Sequence, residues 1–175
     1  MRSDKSNINS GAYRPAIKAG LVGSLHGLTV GAPTVSTNAC TLVAQQVNSP
    51  TYTGASAVTA TLPPATKDTV CVFSMADDPK GGTAALTFNC AGTDVWETGS
   101  VVPTTSGNKI TYDVSDAGET NLVFTPTNNS VNFLSYGSLI EFVCEEAGKW
   151  YVNVQMKSDA GVTDGAATGT LLFAA

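Results

Sequence analysis

The sequence predicts an all-β protein: an antiparallel β-sandwich, jelly-roll-like, with an extended N-terminal arm and a C-terminal tail. Three observations lead there. Charged residues make up only 13% of the chain, about half the usual share, and Thr, Ser, Gly and Asn stand in their place. Thr and Val fit a pleated surface, while Gly and Asn supply turns. No stretch keeps a 3.6-residue apolar period flanked by Glu, Lys and Arg, so helices are not expected. Short alternating runs recur instead, each bounded by turn residues, which is the pattern of a sandwich or barrel.

Taken in order, residues 1–38 read as the arm. Gly11, Gly20, Gly23, Gly27, Gly31, Pro15 and Pro33 crowd this segment, and its apolar residues keep no single period. GLVGSLHGLTVG (20–31) could form a short strand or hairpin but reads first as arm. The body spans 39–156, with strands expected at Ala39–Gln46, Ala57–Leu62, Thr69–Met75, Ala84–Cys90, Lys109–Val114, Asn121–Phe124, Ser138–Cys144 and Trp150–Met156. Pro63-Pro64, Asp77-Asp78-Pro79, Gly81-Gly82, Gly107-Asn108 and Gly148 punctuate them. Residues 157–175 form the tail, rich in Gly, Ala and Thr until the apolar Leu171-Leu172-Phe173, whose tip needs a pocket on the chain itself or on a partner. A length of 175 residues suits one domain with a proper core.

Charge divides the chain unevenly. Residues 1–38 carry Arg2, Lys5, Arg14 and Lys18 against Asp4, a balance of +3, whereas the remainder carries −8. A basic arm on an acidic body points to a separate surface for the arm to answer to. The acidic body is not expected to bind nucleic acid, which needs clustered Lys and Arg. No run of about 18 apolar residues is present, so no membrane-spanning helix is expected. The N-terminal MRSDKSNINS lacks the apolar core of a signal peptide, so secretion is not expected. Cys40, Cys71, Cys90 and Cys144 lie far apart with no CxxC spacing and read as buried thiols of a protein made in a reducing cytoplasm.

The residues that could carry chemistry point away from an enzyme. His26 is the single histidine and sits in the Gly-rich arm, away from the rigid carboxylate that a catalytic triad requires. One histidine and scattered cysteines do not make a zinc site, and no cofactor is expected. Gly20-x-x-Gly23-x-x-x-Gly27 lacks the Gly-Lys-Ser/Thr ending of a phosphate loop. Asp77-Asp78 and Asp159 to Asp164 lack Ca²⁺-loop spacing. Glu145 and Glu146 belong to a turn rather than opposed across a cleft. Trp96, in GTDVWETG between turn residues, is the best candidate for an exposed binding aromatic, though plugging one end of the sandwich is the plainer role.

Two segments carry a family likeness. Ala57–Met75, AVTATLPPATKDTVCVFSM, is a strand ending in Leu-Pro, a short turn and an apolar strand. Gly137–Val154, GSLIEFVCEEAGKWYVNV, is a strand, a Gly-bearing turn and a Lys-Trp-Tyr-Val strand. Together they resemble the small β-sandwich domains of tailed-phage virion proteins, found in capsid decoration proteins and in tail or head appendages. The resemblance covers 39–156 and supplies no catalytic residues. It implies a structural, non-enzymatic protein of the virion exterior. In the first role it is a decoration (cement) protein that clamps neighbouring capsomers and binds the major capsid protein and itself, as a homotrimer. The alternative role is a fibre appendage binding host surface glycans. The partner interface expected from the residues comprises Arg2, Lys5, Tyr13, Arg14, Ile17, Lys18 and Leu21 of the arm, Trp96, and Leu171, Leu172 and Phe173 of the tail.

Overall fold

A computed structural model describes residues 29–31, 38–76, 84–106, 109–126, 131–132, 134–157 and 167–175. Every regular element among them is a strand. In chain order these are β1 (Thr29–Gly31), β2 (Ala39–Thr41), β3 (Gln46–Asn48), β4 (Val58–Thr61), β5 (Thr69–Ser74), β6 (Leu86–Asn89), β7 (Val95–Trp96) and β8 (Val101–Ser106). They are followed by β9 (Lys109–Val114), β10 (Asn121–Thr125), β11 (Val131–Asn132), β12 (Leu139–Glu146), β13 (Lys149–Gln155), β14 (Ala167–Thr168) and β15 (Thr170–Ala174). The all-β expectation therefore holds. No helix among the described residues is long and apolar enough to cross a membrane.

Two sheets make the sandwich-like body. One has six strands in the order β1-β3-β5-β12-β13-β7, and the other has five in the order β15-β10-β6-β4-β2; β8-β9 and β11-β14 form small two-stranded sheets. The expected antiparallel pairing needs correction, because both large sheets are mixed. β1, β3 and β5 run parallel, as do β2, β4 and β6, and β13 with β7. The reason lies in the path of the chain: from β2 to β7 each successive strand lands in the opposite sheet. A strand that leaves one sheet, crosses to the other and returns arrives beside its predecessor in the same direction. Short strands with Pro or Gly corners read identically in sequence whether the next strand folds back as a hairpin or crosses over.

One such corner splits an expected strand. Ala39–Gln46 becomes β2 and the start of β3, separated by a turn in which Gln45 takes a left-handed φ of 56°. Buried Asn48 fixes this corner: its Oδ1 accepts from the Val43 N–H at 2.8 Å, and its Nδ2 donates to the carbonyls of Val43 and Val72 at 3.0 and 3.1 Å. A buried amide with its partners in place specifies one chain path.

The core lies between the large sheets. Cross-strand register sets Cys40, Ala60, Phe88, Leu122 and Phe173 in one inward row of the five-stranded sheet, and Val58, Leu86, Phe124 and Leu171 in the next. The six-stranded sheet answers with Cys71, Phe142 and Val152, then Phe73, Ile140 and Val154. Aromatic edges join the layers. Phe73 and Phe88 meet edge-on with centroids 4.9 Å apart, Phe88 and Phe142 are 5.1 Å apart, and Trp96 reaches Phe173 at 5.7 Å. Pairs of this kind add about 0.5–1.5 kcal/mol each beyond their burial.

Strands also occur inside the segments expected as arm and tail. Thr29–Gly31, inside the expected arm, is the edge strand of the six-stranded sheet, in register with Gln46–Asn48. Thr170–Ala174, inside the expected tail, pairs antiparallel along the whole of β10. TLLFA alternates inward and outward like any body strand, and its apolar tip finds its pocket in the chain's own core. The segments Ala57–Met75 and Gly137–Val154 come together as neighbours, since β5 pairs with β12 from Thr69 to Ser74.

Candidate functional site

Three of the seven exposed large apolar residues among the described ones, Val101, Tyr112 and Val114, lie on the paired strands β8 and β9. The strands of this hairpin, VVPTTS and KITYDV, alternate with period two and pair antiparallel from Val101–Val114 to Ser106–Lys109. Pairing sets Val101 opposite Val114, Val102 opposite Asp113, Pro103 opposite Tyr112, Thr104 opposite Thr111 and Thr105 opposite Ile110. Alternation thus separates two faces. Val102, Thr104, Thr111 and Asp113 belong to one; Val101, Pro103, Thr105, Ile110, Tyr112 and Val114 belong to the other.

The inner face holds the hairpin against β15. β15 ends the five-stranded sheet, so half of its backbone groups face away from β10 and would otherwise form an open edge. Side chains of the hairpin cover them. The Leu171 N–H donates to Thr104 Oγ1 at 3.1 Å, and the Phe173 N–H donates to Asp113 Oδ2 at 2.7 Å. From the opposite face, the Thr105 hydroxyl donates to the Gly169 carbonyl just before β15, so that end of the hairpin is anchored on both faces. Val102, fully buried, fills the space behind. The hairpin is therefore clamped by side-chain acceptors rather than by a ladder, and its outer face is presented on a fixed base.

That outer face carries no charge. Tyr112 is 70% exposed, Val114 52% and Val101 49%, with Pro103, Thr105 and Ile110 half-buried between them. The other exposed large apolar residues, Val43, Tyr136, Tyr151 and Leu172, are distributed over other elements. Apolar surface removed from water by a partner contributes about 25 cal/mol per Å². A rigid Tyr with its hydroxyl at the tip suits a contact that is apolar at its centre and wet at its rim.

The interface residues expected from sequence fare differently. Arg2, Lys5, Tyr13, Arg14, Ile17, Lys18 and Leu21 lie outside the described residues, as does His26. Trp96 is corrected: it lies in β7 with 1% of its surface exposed, paired in register with Trp150 and packed on Phe142 and Phe173. It plugs the core and offers no ring to a glycan or a partner. Leu171 and Phe173 are likewise core residues, because β15 turns them inward; only Leu172, 42% exposed, faces out. Sequence reasoning missed Val101, Tyr112 and Val114 as a group. β9 was expected from sequence but its partner VVPTTS was not; a proline such as Pro103 is disfavoured inside a strand and tolerated at an edge.

The cysteine thiols are sequestered. All four cysteines are free and buried. Burial pushes Cys71 up to about 12, and burial assisted by the nearby Asp94 carboxylate does the same for Cys90, so neither supplies a thiolate nucleophile near neutral pH. Among the described residues no group of three or more His, Cys, Asp or Glu side chains could hold a metal ion. Lys149, where β13 begins, bridges Glu97 at 3.2 Å and Glu146 at 3.1 Å on the surface. No family model, curated protein or solved structure matches this chain.

Proposed function

We propose that this chain is a structural protein of a tailed-phage virion, a capsid decoration protein that binds the outer capsid surface and ties neighbouring capsomers together. The observation that carries this reading is the uncharged apolar face of the β8–β9 hairpin, fixed by Thr104 and Asp113 to a body with a continuous core. In this reading the body seats that face on the major capsid protein or on a sister copy in a homotrimer. The basic arm reaches an adjacent subunit, adding contact area and effective concentration without a larger core. The segments Ala57–Met75 and Gly137–Val154 support the family assignment through their resemblance to virion sandwich domains. Burial of Trp96 weighs against glycan binding through that ring.

The test uses capsids assembled without this chain. Purified protein added to them should bind in hundreds of copies per particle, the stoichiometry of a cement protein. The variant carrying Tyr112→Ser and Val114→Ser should melt within about 2 °C of the parent, as exposed substitutions change stability by only about 0.5 kcal/mol, yet leave capsids largely bare. Full occupancy by that variant removes the hairpin from the interface. A few copies confined to one vertex or to the tail overturn the decoration reading.

A further inference from the structure

The two edges of the β8–β9 hairpin are not equivalent. β9 is its outer strand: Val102 and Thr104 of β8 are buried, while Asp113 and Thr111 opposite them are half-buried. Backbone groups of successive residues in a strand point to alternate sides. At the end of the ladder the Ser115 N–H donates to the Ser100 carbonyl at 2.9 Å. Counting back by twos, Asp113, Thr111 and Lys109 turn their backbone groups towards β8, and Ile110, Tyr112 and Val114 turn theirs away. On β8 the corresponding outward positions are Val101, Pro103 and Thr105, and Pro103 has no N–H to offer a further strand. β9 carries no such block, and among the described residues no strand except β8 pairs with it. The edges of β1, β2, β7, β11 and β14 are two or three residues long, and that of β15 is covered by Thr104 and Asp113. KITYDV is thus a six-residue open edge, rich in the β-branched and aromatic residues that suit strand pairing.

We propose that two copies of this chain pair edge to edge along β9, antiparallel about a two-fold axis, with Tyr112 opposite its own counterpart and Ile110 opposite Val114. The occupant is a second copy because the edge is complementary to itself. In this register the outward backbone groups of Ile110, Tyr112 and Val114 all meet partners, giving about six hydrogen bonds. Outer-face residues lie opposite outer-face residues, so the two Tyr112 rings form a cross-strand aromatic pair flanked by Ile110 and Val114. Asp113 falls opposite Thr111, and no like charges meet. A shift of two residues one way sets Asp113 against its own counterpart, and two residues the other way leaves Val114 unpaired. A shift of one residue opposes the outer face to the inner one. Charge favours the same contact. Residues 39–175 carry a net −8, so two bodies repel, whereas pairing along the outer strand joins uncharged rows. It also covers the residues that are most exposed on the hairpin, Tyr112 at 70% and Val114 at 52%. A two-fold contact of this kind closes on a pair and is distinct from any contact that builds a trimer. It rests on the hairpin edge alone and holds whether or not the protein binds a capsid.

Sedimentation equilibrium of the full chain over a concentration series should show monomers and dimers in exchange, weak because one pair of strands buries less than a standard interface. Tyr112→Lys sets two like charges opposite each other at the axis and places a lysine on the edge. At an exposed position it should leave the fold intact, checked by tryptophan fluorescence, and keep the chain monomeric wherever the parent dimerises. Register is read by cross-linking under mild oxidation. Tyr112→Cys brings two thiols face to face across the axis, at the Cα separation of about 5.5 Å that a disulfide spans. Val114→Cys sets its thiol opposite Ile110 instead. Covalent dimer should therefore form about tenfold or more faster for Tyr112→Cys than for Val114→Cys, and the buried native cysteines contribute little background. A parent chain that stays monomeric up to about millimolar concentration, with a free energy of pairing below about 4 kcal/mol, overturns the proposal. So does self-association, dimeric or trimeric, that Tyr112→Lys leaves unchanged. Equal cross-linking of the two cysteine variants overturns the register.

Discussion

Replacing Phe173 by Ala tests whether the C-terminal segment is a core strand. The ring is 7% exposed, packs 5.7 Å from Trp96 and shares a row with Leu122 and Phe88. Loss of a buried Phe side chain combines lost transfer energy with a cavity, about 3–5 kcal/mol, against a total stability of about 5–15 kcal/mol for a domain. At about 2–4 °C per kcal/mol for this size, the melting temperature should fall by about 6–20 °C. Leu171→Ala, at a fully buried position, should cost about 2–5 kcal/mol. Leu172→Ala, one residue along on the exposed face, should cost no more than about 0.5 kcal/mol. Urea unfolding followed by the fluorescence of buried Trp96 and Trp150 reads all three. A one-residue slip of β15 would swap its faces, so a damaging Leu172→Ala with harmless Phe173→Ala and Leu171→Ala refutes the register. If all three are harmless, β15 is not part of the core.

Two further outcomes follow from the same geometry. Asp113→Ala removes the acceptor of the Phe173 N–H and should destabilise by about 1.5–3 kcal/mol, the worth of a hydrogen bond to a charged group, while Asp113→Asn keeps an acceptor and should lose less; urea midpoints that are equal for Ala and Asn place that bond outside the folded state's energetics. Alkaline stability should fall because Cys71 and Cys90 are held protonated: their pKa values rise from 9.0 to about 12. Below pH 9 both states carry the proton; between 9 and 12 only the unfolded thiol loses it, so unfolding becomes easier by up to about 1.4 kcal/mol per pH unit for each thiol. Urea midpoints measured in reductant from pH 8 to 11 should show this slope, and a chain with Cys71→Ala and Cys90→Ala should lose most of it; an unchanged slope in that chain assigns the alkaline loss elsewhere.

Much of the architecture was legible from local chemistry. Period-two alternation in TVCVFS, LIEFVCEE and KWYVNVQ identifies β5, β12 and β13, because a pleated strand puts alternate side chains on opposite faces. Gly148, at a φ of 84°, marks the turn between β12 and β13, where a left-handed backbone favours glycine. The scarcity of charge and the basic arm were equally plain. Burial of Leu171 and Phe173 was half legible: TLLFA has the right alternation, but nothing local says that β10 is waiting for it. Trp96 was legible only as a choice, with plugging the sandwich the plainer role and exposure the other. Its turn-rich surroundings suggest exposure, and only the parallel pairing of β7 with β13 draws it beneath Phe173.

The sequence by itself determined that this chain is built of strands and turns and that its body is acidic, since those properties depend on neighbours along the chain. The tertiary structure alone decided which strands lie side by side. Weaving of β2 to β7 between two sheets produces parallel neighbours that no turn residue announces, because crossing over and folding back begin with the same Pro and Gly corners. It also decided which apolar residues stay wet. Val101, Tyr112 and Val114 look like core residues in sequence, yet the hairpin that carries them has only its other face to bury, against β15. Exposure is a property of what packs on a face, and that is settled between residues as distant along the chain as Asp113 and Phe173.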